Sequence, residues 1–141
     1  MRNDELIGKV RARAGLADRG AAEHATRAVL STLAERVPQG LAEHVAAQLP
    51  GDLAASMRPQ SPSAGGERRR GAGERFGLTA FAGRVAWRAG VPEDIALRDA
   101  VAVMEVLDAA VAPEEMEKLA GVLPSDIRAL LPVERAEETG A

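Results

Sequence analysis

In residues 22–38, AEHATRAVLSTLAERVP, apolar side chains return every three or four positions. The recurring set is Ala22, Ala25, Val29 and Leu33. Because an α-helix has about 3.6 residues per turn, these side chains share one face. The pattern predicts an amphipathic helix whose apolar face packs against other helices.

Further helices are predicted on both sides of this stretch. Gly15 and Gly90 are expected helix ends, since glycine adopts left-handed dihedral angles at little cost. Asp18 is the expected N-cap of the helix that holds residues 22–33, and Pro38 and Gly40 are expected to end that helix. The apolar stripe predicted for the second long helix is Leu97, Val101, Met104 and Val111. Long alternating runs of β-branched residues are missing from the sequence, so an all-α fold is predicted.

The chain divides into two similar segments around a linker. Residues 10–16, VRARAGL, align with residues 85–91, VAWRAGV, at an offset of 75, and further matches follow at an offset of 74. Such self-similarity indicates an internal duplication. The predicted parts are an N-terminal repeat (1–57), a linker (58–77), a C-terminal repeat (78–132) and a polar tail (133–141). Each repeat is predicted to form three to four helices, and the two to pack as one bundle.

Residues 58–77 differ from both repeats in composition. Seven of these 20 residues are Gly or Pro and five are Arg. Such a stretch has few apolar side chains to offset the entropy lost on ordering, so it predicts a flexible, basic linker. The net charge is zero before it, +3 within it and −6 after it.

The helical pattern resembles the bacterial domain-of-unknown-function family 2267. The residues that carry the resemblance are Ala28-Val29-Leu30, Leu33-Ala34-Glu35-Arg36-Val37-Pro38 and Gln48-Leu49-Pro50. A weaker echo lies at Ala102-Val103-Met104 and Leu123-Pro124. The resemblance implies a bundle of two similar helical halves in a soluble bacterial protein. It implies no catalytic residue, cofactor or partner.

Composition restricts the chemistry and the compartment. The absence of cysteine excludes disulfides, thiol catalysis and cysteine-ligated metal sites. No apolar run approaches the roughly 18 residues of a membrane span, and the first five residues are largely polar. We therefore expect a soluble, cytoplasmic protein with no membrane contact.

The two histidines, His24 and His44, carry no catalytic or cofactor motif. They form neither a His-Glu-x-x-His nor a His-x3-His pattern, and the second repeat has no histidine. We expect both side chains to face solvent, and we expect no catalytic residue, metal or cofactor. A deep pocket around either histidine would favour an enzyme with an unfamiliar site.

Trp87 is a candidate partner contact. It lies about 200° around the helix from Val85, away from the predicted core stripe, and its counterpart at an offset of 75 is the small Ala12. A large aromatic in such a place anchors a partner or a second copy, or it packs against the other repeat or the linker. Both interpretations stay open at this stage.

Arg68, Arg69 and Arg70 are candidate phosphate contacts. Guanidinium groups bind phosphates in a bidentate geometry, which suggests binding to nucleic acid. Against this, the chain as a whole is acidic and only 2% aromatic, which leaves few rings for base stacking. The sequence therefore favours a non-enzymatic module that binds an unknown protein or itself, with nucleic-acid binding through the basic linker as the alternative.

Overall fold

The computed structural model describes residues 1–58 and 75–132. Its helices are α1 (Asn3–Ala14), α2 (Arg19–Arg36), α3 (Gln39–Ala46), α4 (Gly51–Ala54), α5 (Leu78–Ala89), α6 (Glu93–Ala110), α7 (Pro113–Val122) and α8 (Ser125–Arg128), with a 3-10 turn over Ala55–Met57. These two ranges contain no strand, so the predicted all-α class is confirmed. Most of the predicted linker and all of the predicted tail lie outside the described residues.

The helix ends follow local signals in the sequence. Gly15 and Gly90 end α1 and α5 with φ angles of 69° and 71°, in the left-handed region that favours glycine. The side chain of Asp18 accepts a hydrogen bond of 2.8 Å from the Ala21 N–H and caps α2. The role predicted for Gly40 is wrong, because this residue lies in the first turn of α3.

One hydrophobic core draws on both ends of the chain. The long helix α2 packs against α5 and α6, while α1 packs against α6 and α3 against α7. The largest side chains in this core include Ile7, Leu33, Phe81 and Met104, all of them almost inaccessible to solvent. Elements that are far apart in sequence therefore share their apolar faces.

The predicted stripe of α6 is partly wrong. Val101 is 36% exposed, whereas Ala96, Ala100 and Val103 are buried. Most positions of α6 are apolar. The predicted stripe was chosen by its bulky residues and therefore left out the buried alanines. Alanine at the inner positions lets α6 approach its neighbours closely, although each alanine buries little area.

No helix within residues 1–58 or 75–132 combines the length and apolarity that crossing a bilayer requires.

Candidate functional site

A polar network joins α2 to α5. Glu35 accepts hydrogen bonds from Arg84 at 2.8 Å and from Arg88 at 2.6 Å, one on each carboxylate oxygen. Arg88 also donates to the hydroxyl of Thr32 at 2.8 Å, and that threonine is fully buried. We call Thr32, Glu35, Arg84 and Arg88 the α2–α5 network. Since bonds between charged groups are the stronger ones, the network fixes α5 against α2.

Phe76 extends the network toward the N-terminus of α5. The Arg84 guanidinium carbon lies 4.0 Å from the centre of the Phe76 ring, within the range of a cation–π contact. Arg36 donates to the Phe76 carbonyl at 2.8 Å. The start of α5 is capped by Asp126, which accepts a hydrogen bond of 2.9 Å from the Leu78 N–H. Both ends of α5 are thus held in place.

Trp87 projects away from this well-fixed helix. Its side chain is 86% exposed, whereas Phe81 and Val85 on the opposite face are buried. The interpretation that it packs against the other repeat is therefore wrong: the 200° turn that takes it off the core stripe also takes it away from α2. The other interpretation, that Trp87 packs against the predicted linker, stays a prediction because most linker residues lie outside the described ranges. The partner contact proposed for Trp87 stays a prediction.

Small residues flank Trp87 on the outer surface of α5. In chain order, Ala80, Gly83, Trp87 and Gly90 are separated by three, four and three residues. The four residues therefore lie along one side of the helix. Ala80 and Gly90 are exposed and Gly83 is half-buried. We call these four residues the Trp87 face. It consists of one large aromatic ring beside a shallow, low-relief surface.

The two histidines lie apart and do not form a site together. Both are exposed, on α2 and α3. His24 Nε2 is 3.0 Å from the carbonyl oxygen of Arg88, and His44 Nδ1 is 3.8 Å from Glu115 Oε1. Among the residues that the structure describes, no group of three His, Asp or Glu side chains is placed to hold a metal ion.

A small cavity of about 270 Å³, half open to solvent, lies beside His24. It is formed by the first turns of α2, the end of α5 and the first half of α6, and Asp99 is part of its wall. A second, more open depression of about 550 Å³ lies between Arg36, Phe76 and Val122. The pocket beside His24 is therefore the smaller of these two depressions, and the expectation that the protein is not an enzyme stays a prediction.

The sequence shows a clear family relationship. Residues 3–130 match the model of a family described as "Uncharacterized conserved protein (DUF2267)". The chain belongs to the DUF2267 family. The resemblance noted from the helical pattern is confirmed by a match that covers most of the chain. No curated protein matches the sequence.

In this DUF2267 protein, the run Arg68, Arg69 and Arg70 lies outside the described residues. Their predicted phosphate contact therefore stays a prediction.

Sequence reasoning also missed residues that the structure shows at key contacts. Gln48 Oε1 accepts a hydrogen bond of 2.6 Å from the Ala112 N–H and so caps α7 from the other end of the chain. The only signal for Gln48 was its place in the Gln-Leu-Pro motif, and nothing in the sequence indicated its partner.

Proposed function

We propose that this protein is a non-enzymatic, bacterial cytoplasmic module that associates with a second copy of itself through the Trp87 face. The observation that carries the proposal is the 86% exposure of Trp87, the only tryptophan in the sequence. A largely exposed indole gains free energy when a partner covers it, since aromatic side chains bury about 150–250 Å² each. Trp is also among the residues that dominate binding energy at interfaces.

The proposed two-repeat organisation supports a role for Trp87 beyond folding. Helices α1 and α5 each have 12 residues, and α2 and α6 each have 18. At the offset of 75, the position of Trp87 is occupied by Ala12 in the first repeat, and Ala12 is exposed. If the scaffold needs only an alanine there, the tryptophan serves another purpose.

The shape of the Trp87 face favours a second copy as the partner. A large ring lies beside small residues on the same side of one helix, at Ala80 and Gly83. In an antiparallel pair of α5 helices, the Trp87 ring of each copy covers the small residues of the other. Such a contact is isologous, which is the commonest symmetry of soluble dimers. A single pair of helices is smaller than a standard interface of roughly 800 Å² per partner, so we expect a dimer of micromolar affinity.

The α2–α5 network supports the same proposal, because it presents the face without rearrangement. Because the backbone of α5 is already fixed, binding has to immobilise the Trp87 side chain but not the helix. Arg84 and Arg88 point toward Glu35 on α2, which keeps their charges off the Trp87 side. A Cβ atom added at Gly83 would lie 3.7 Å from Glu93 Oε2, so this carboxylate borders the face.

Sedimentation velocity at rising concentration, read together with tryptophan fluorescence, tests the proposal. We expect the mass to double in the micromolar range and the emission to shift to the blue at the same concentrations. Trp87→Ala should abolish the dimer, and Gly83→Leu should weaken it by filling the small side of the contact. Val122→Ala, at another exposed apolar residue, is the matched control and should leave the dimer intact. A monomeric mass with red-shifted emission at every concentration would overturn self-association.

A further inference from the structure

The cavity beside His24 combines an apolar wall with two polar groups. Its lining includes the apolar residues Leu16, Ala21, Ala25 and Val91, and the polar residues His24 and Asp99. Its volume of about 270 Å³ is just below the roughly 300–1,000 Å³ of pockets that take drug-sized ligands. A compound with a small ring or a short alkyl chain fits a space of this size.

Asp99 is the unusual member of this wall. It is 1% exposed, although aspartate is almost never fully buried without a partner. Its Oδ1 accepts both bonds from Arg98, at 3.2 and 3.1 Å, while Oδ2 accepts no hydrogen bond from the residues that the structure describes. A buried carboxylate is stabilised when its remaining lone pairs find donors. Asp99 therefore retains acceptor capacity in the wall of a cavity.

His24 adds a second acceptor to the same wall. A carbonyl oxygen only accepts hydrogen bonds, so the contact of 3.0 Å to the Arg88 oxygen requires the proton on Nε2. In the neutral ring the other nitrogen, Nδ1, then carries a lone pair. Since both polar groups of the cavity are hydrogen-bond acceptors, a complementary ligand donates hydrogen bonds.

The two repeats differ at this cavity in a way that packing does not require. At the offset of 74, Asp99 corresponds to Ala25, and both residues line the cavity. Val91 and Leu16 correspond at the offset of 75, and both line it as well. In the first repeat this position is filled by the small apolar Ala25, whereas in the second repeat it is filled by the buried carboxylate of Asp99. The charge on that side fits a binding role better than a packing role.

We propose that this cavity binds a small organic cation that consists of an apolar body and a primary ammonium group. The ammonium donates to Asp99 Oδ2 and to His24 Nδ1, and the apolar body contacts Leu16 and Val91. Arg98 holds the other oxygen of Asp99, so the carboxylate is fixed before the ligand arrives. The site is separate from the Trp87 face and is independent of self-association.

Two-dimensional amide NMR with cyclohexylammonium as the probe tests this site. We expect the amide signals of Gly20, Ala21 and Val91 to shift and saturate as the probe is added. Cyclohexanol and cyclohexanecarboxylate, at equal ionic strength, have the same ring without the positive charge. Both should give at least about tenfold weaker binding, since a charge-assisted hydrogen bond is the larger part of the affinity.

Three variants separate the carboxylate from general effects on folding. Asp99→Asn keeps the shape and should weaken binding by about tenfold or more. Ala21→Leu retains Asp99 but narrows the cavity from its exposed edge, so it should block the probe even if Asp99→Asn does not fold. Asp94→Asn removes a charge from the exposed first turn of the same helix and should leave the affinity unchanged.

Three results would overturn the proposal. One is the absence of saturable shifts with cyclohexylammonium. Another is equal binding of cyclohexanol, which would indicate a purely apolar cavity in which Asp99 only partners Arg98. The third is undiminished binding by a folded Asp99→Asn variant or by Ala21→Leu.

Discussion

Replacing Glu35 with glutamine should lower the free energy of unfolding by about 2 kcal/mol. Glu35 accepts bonds of 2.8 and 2.6 Å from two arginines on a different helix. Hydrogen bonds to charged groups contribute about 1.5–3 kcal/mol each when buried and about 1 kcal/mol or less when exposed. The Glu35 side chain is 22% exposed, which places each bond between these limits. Glutamine removes the charge and leaves only one acceptor oxygen.

Urea unfolding followed by circular dichroism measures this loss directly. For a chain of this length, about 2 kcal/mol corresponds to a decrease in Tm of about 6–8 °C. The helix dipole works in the opposite direction, because Glu35 lies in the last turn of α2, where a negative charge is unfavourable. A measured loss therefore reports the contact between helices rather than the stability of α2 alone.

Glu23→Gln is the matched control for this prediction. Glu23 lies on the same helix and accepts a bond of 2.6 Å from Arg27, four residues away. Its side chain is 42% exposed and its partner is local, so the loss should be about 0.5 kcal/mol or less. If Glu35→Gln costs no more than Glu23→Gln, the α2–α5 network does not stabilise the fold and the reasoning is refuted.

Substitutions at three further positions should change the urea midpoint in stated directions. Gly77→Ala should cost about 1 kcal/mol, because its Cβ would lie 2.9 Å from the Asp126 oxygen that caps α5; an unchanged midpoint would contradict this. Gly40→Ala should instead gain about 0.5 kcal/mol, since nothing lies within 4 Å of the new Cβ in α3, and a loss would show a contact that the structure lacks. Gln48→Ala should cost about 1 kcal/mol through the lost bond to the Ala112 N–H, whereas Gln48→Glu, which keeps the acceptor, should cost less.

The helix ends at Gly15, Asp18 and Gly90 were predictable because their signals are local. Asp18 reaches the Ala21 N–H three residues later, and Gly15 and Gly90 need only their own left-handed conformation. Such signals depend on a few neighbouring residues, so the sequence alone contains them. The helical period alone places Trp87 off the stripe of Val85, but only the structure shows that its side chain is 86% exposed.

The inner face of α6 was less predictable. Bulky apolar residues indicated a stripe through Val101, but Val101 is partly exposed, and Ala96 and Ala100 are buried along with Met104. Periodicity identifies a helix reliably when apolar and polar residues alternate around it. In α6 most residues are apolar, and the neighbours of the helix decide which of them are covered.

The candidate sites depend on partners that are far apart in sequence. Glu35 meets Arg88 across 53 residues, and Gln48 meets Ala112 across 64. The cavity with Asp99 exists only because the start of α2 and the end of α5 meet the first half of α6. Spacing along the chain carries no information about such pairs.

The sequence by itself determined the all-α class, the main helix ends, the family and the position of Trp87 off the core stripe of its helix. The class, the helix ends and the position of Trp87 follow from interactions within about one or two turns of helix, where the covalent chain fixes the geometry. The tertiary structure alone decided which charged groups meet and that Asp99 is buried. These depend on how the helices pack, because desolvation and ion pairing act between surfaces that the chain brings together only on folding.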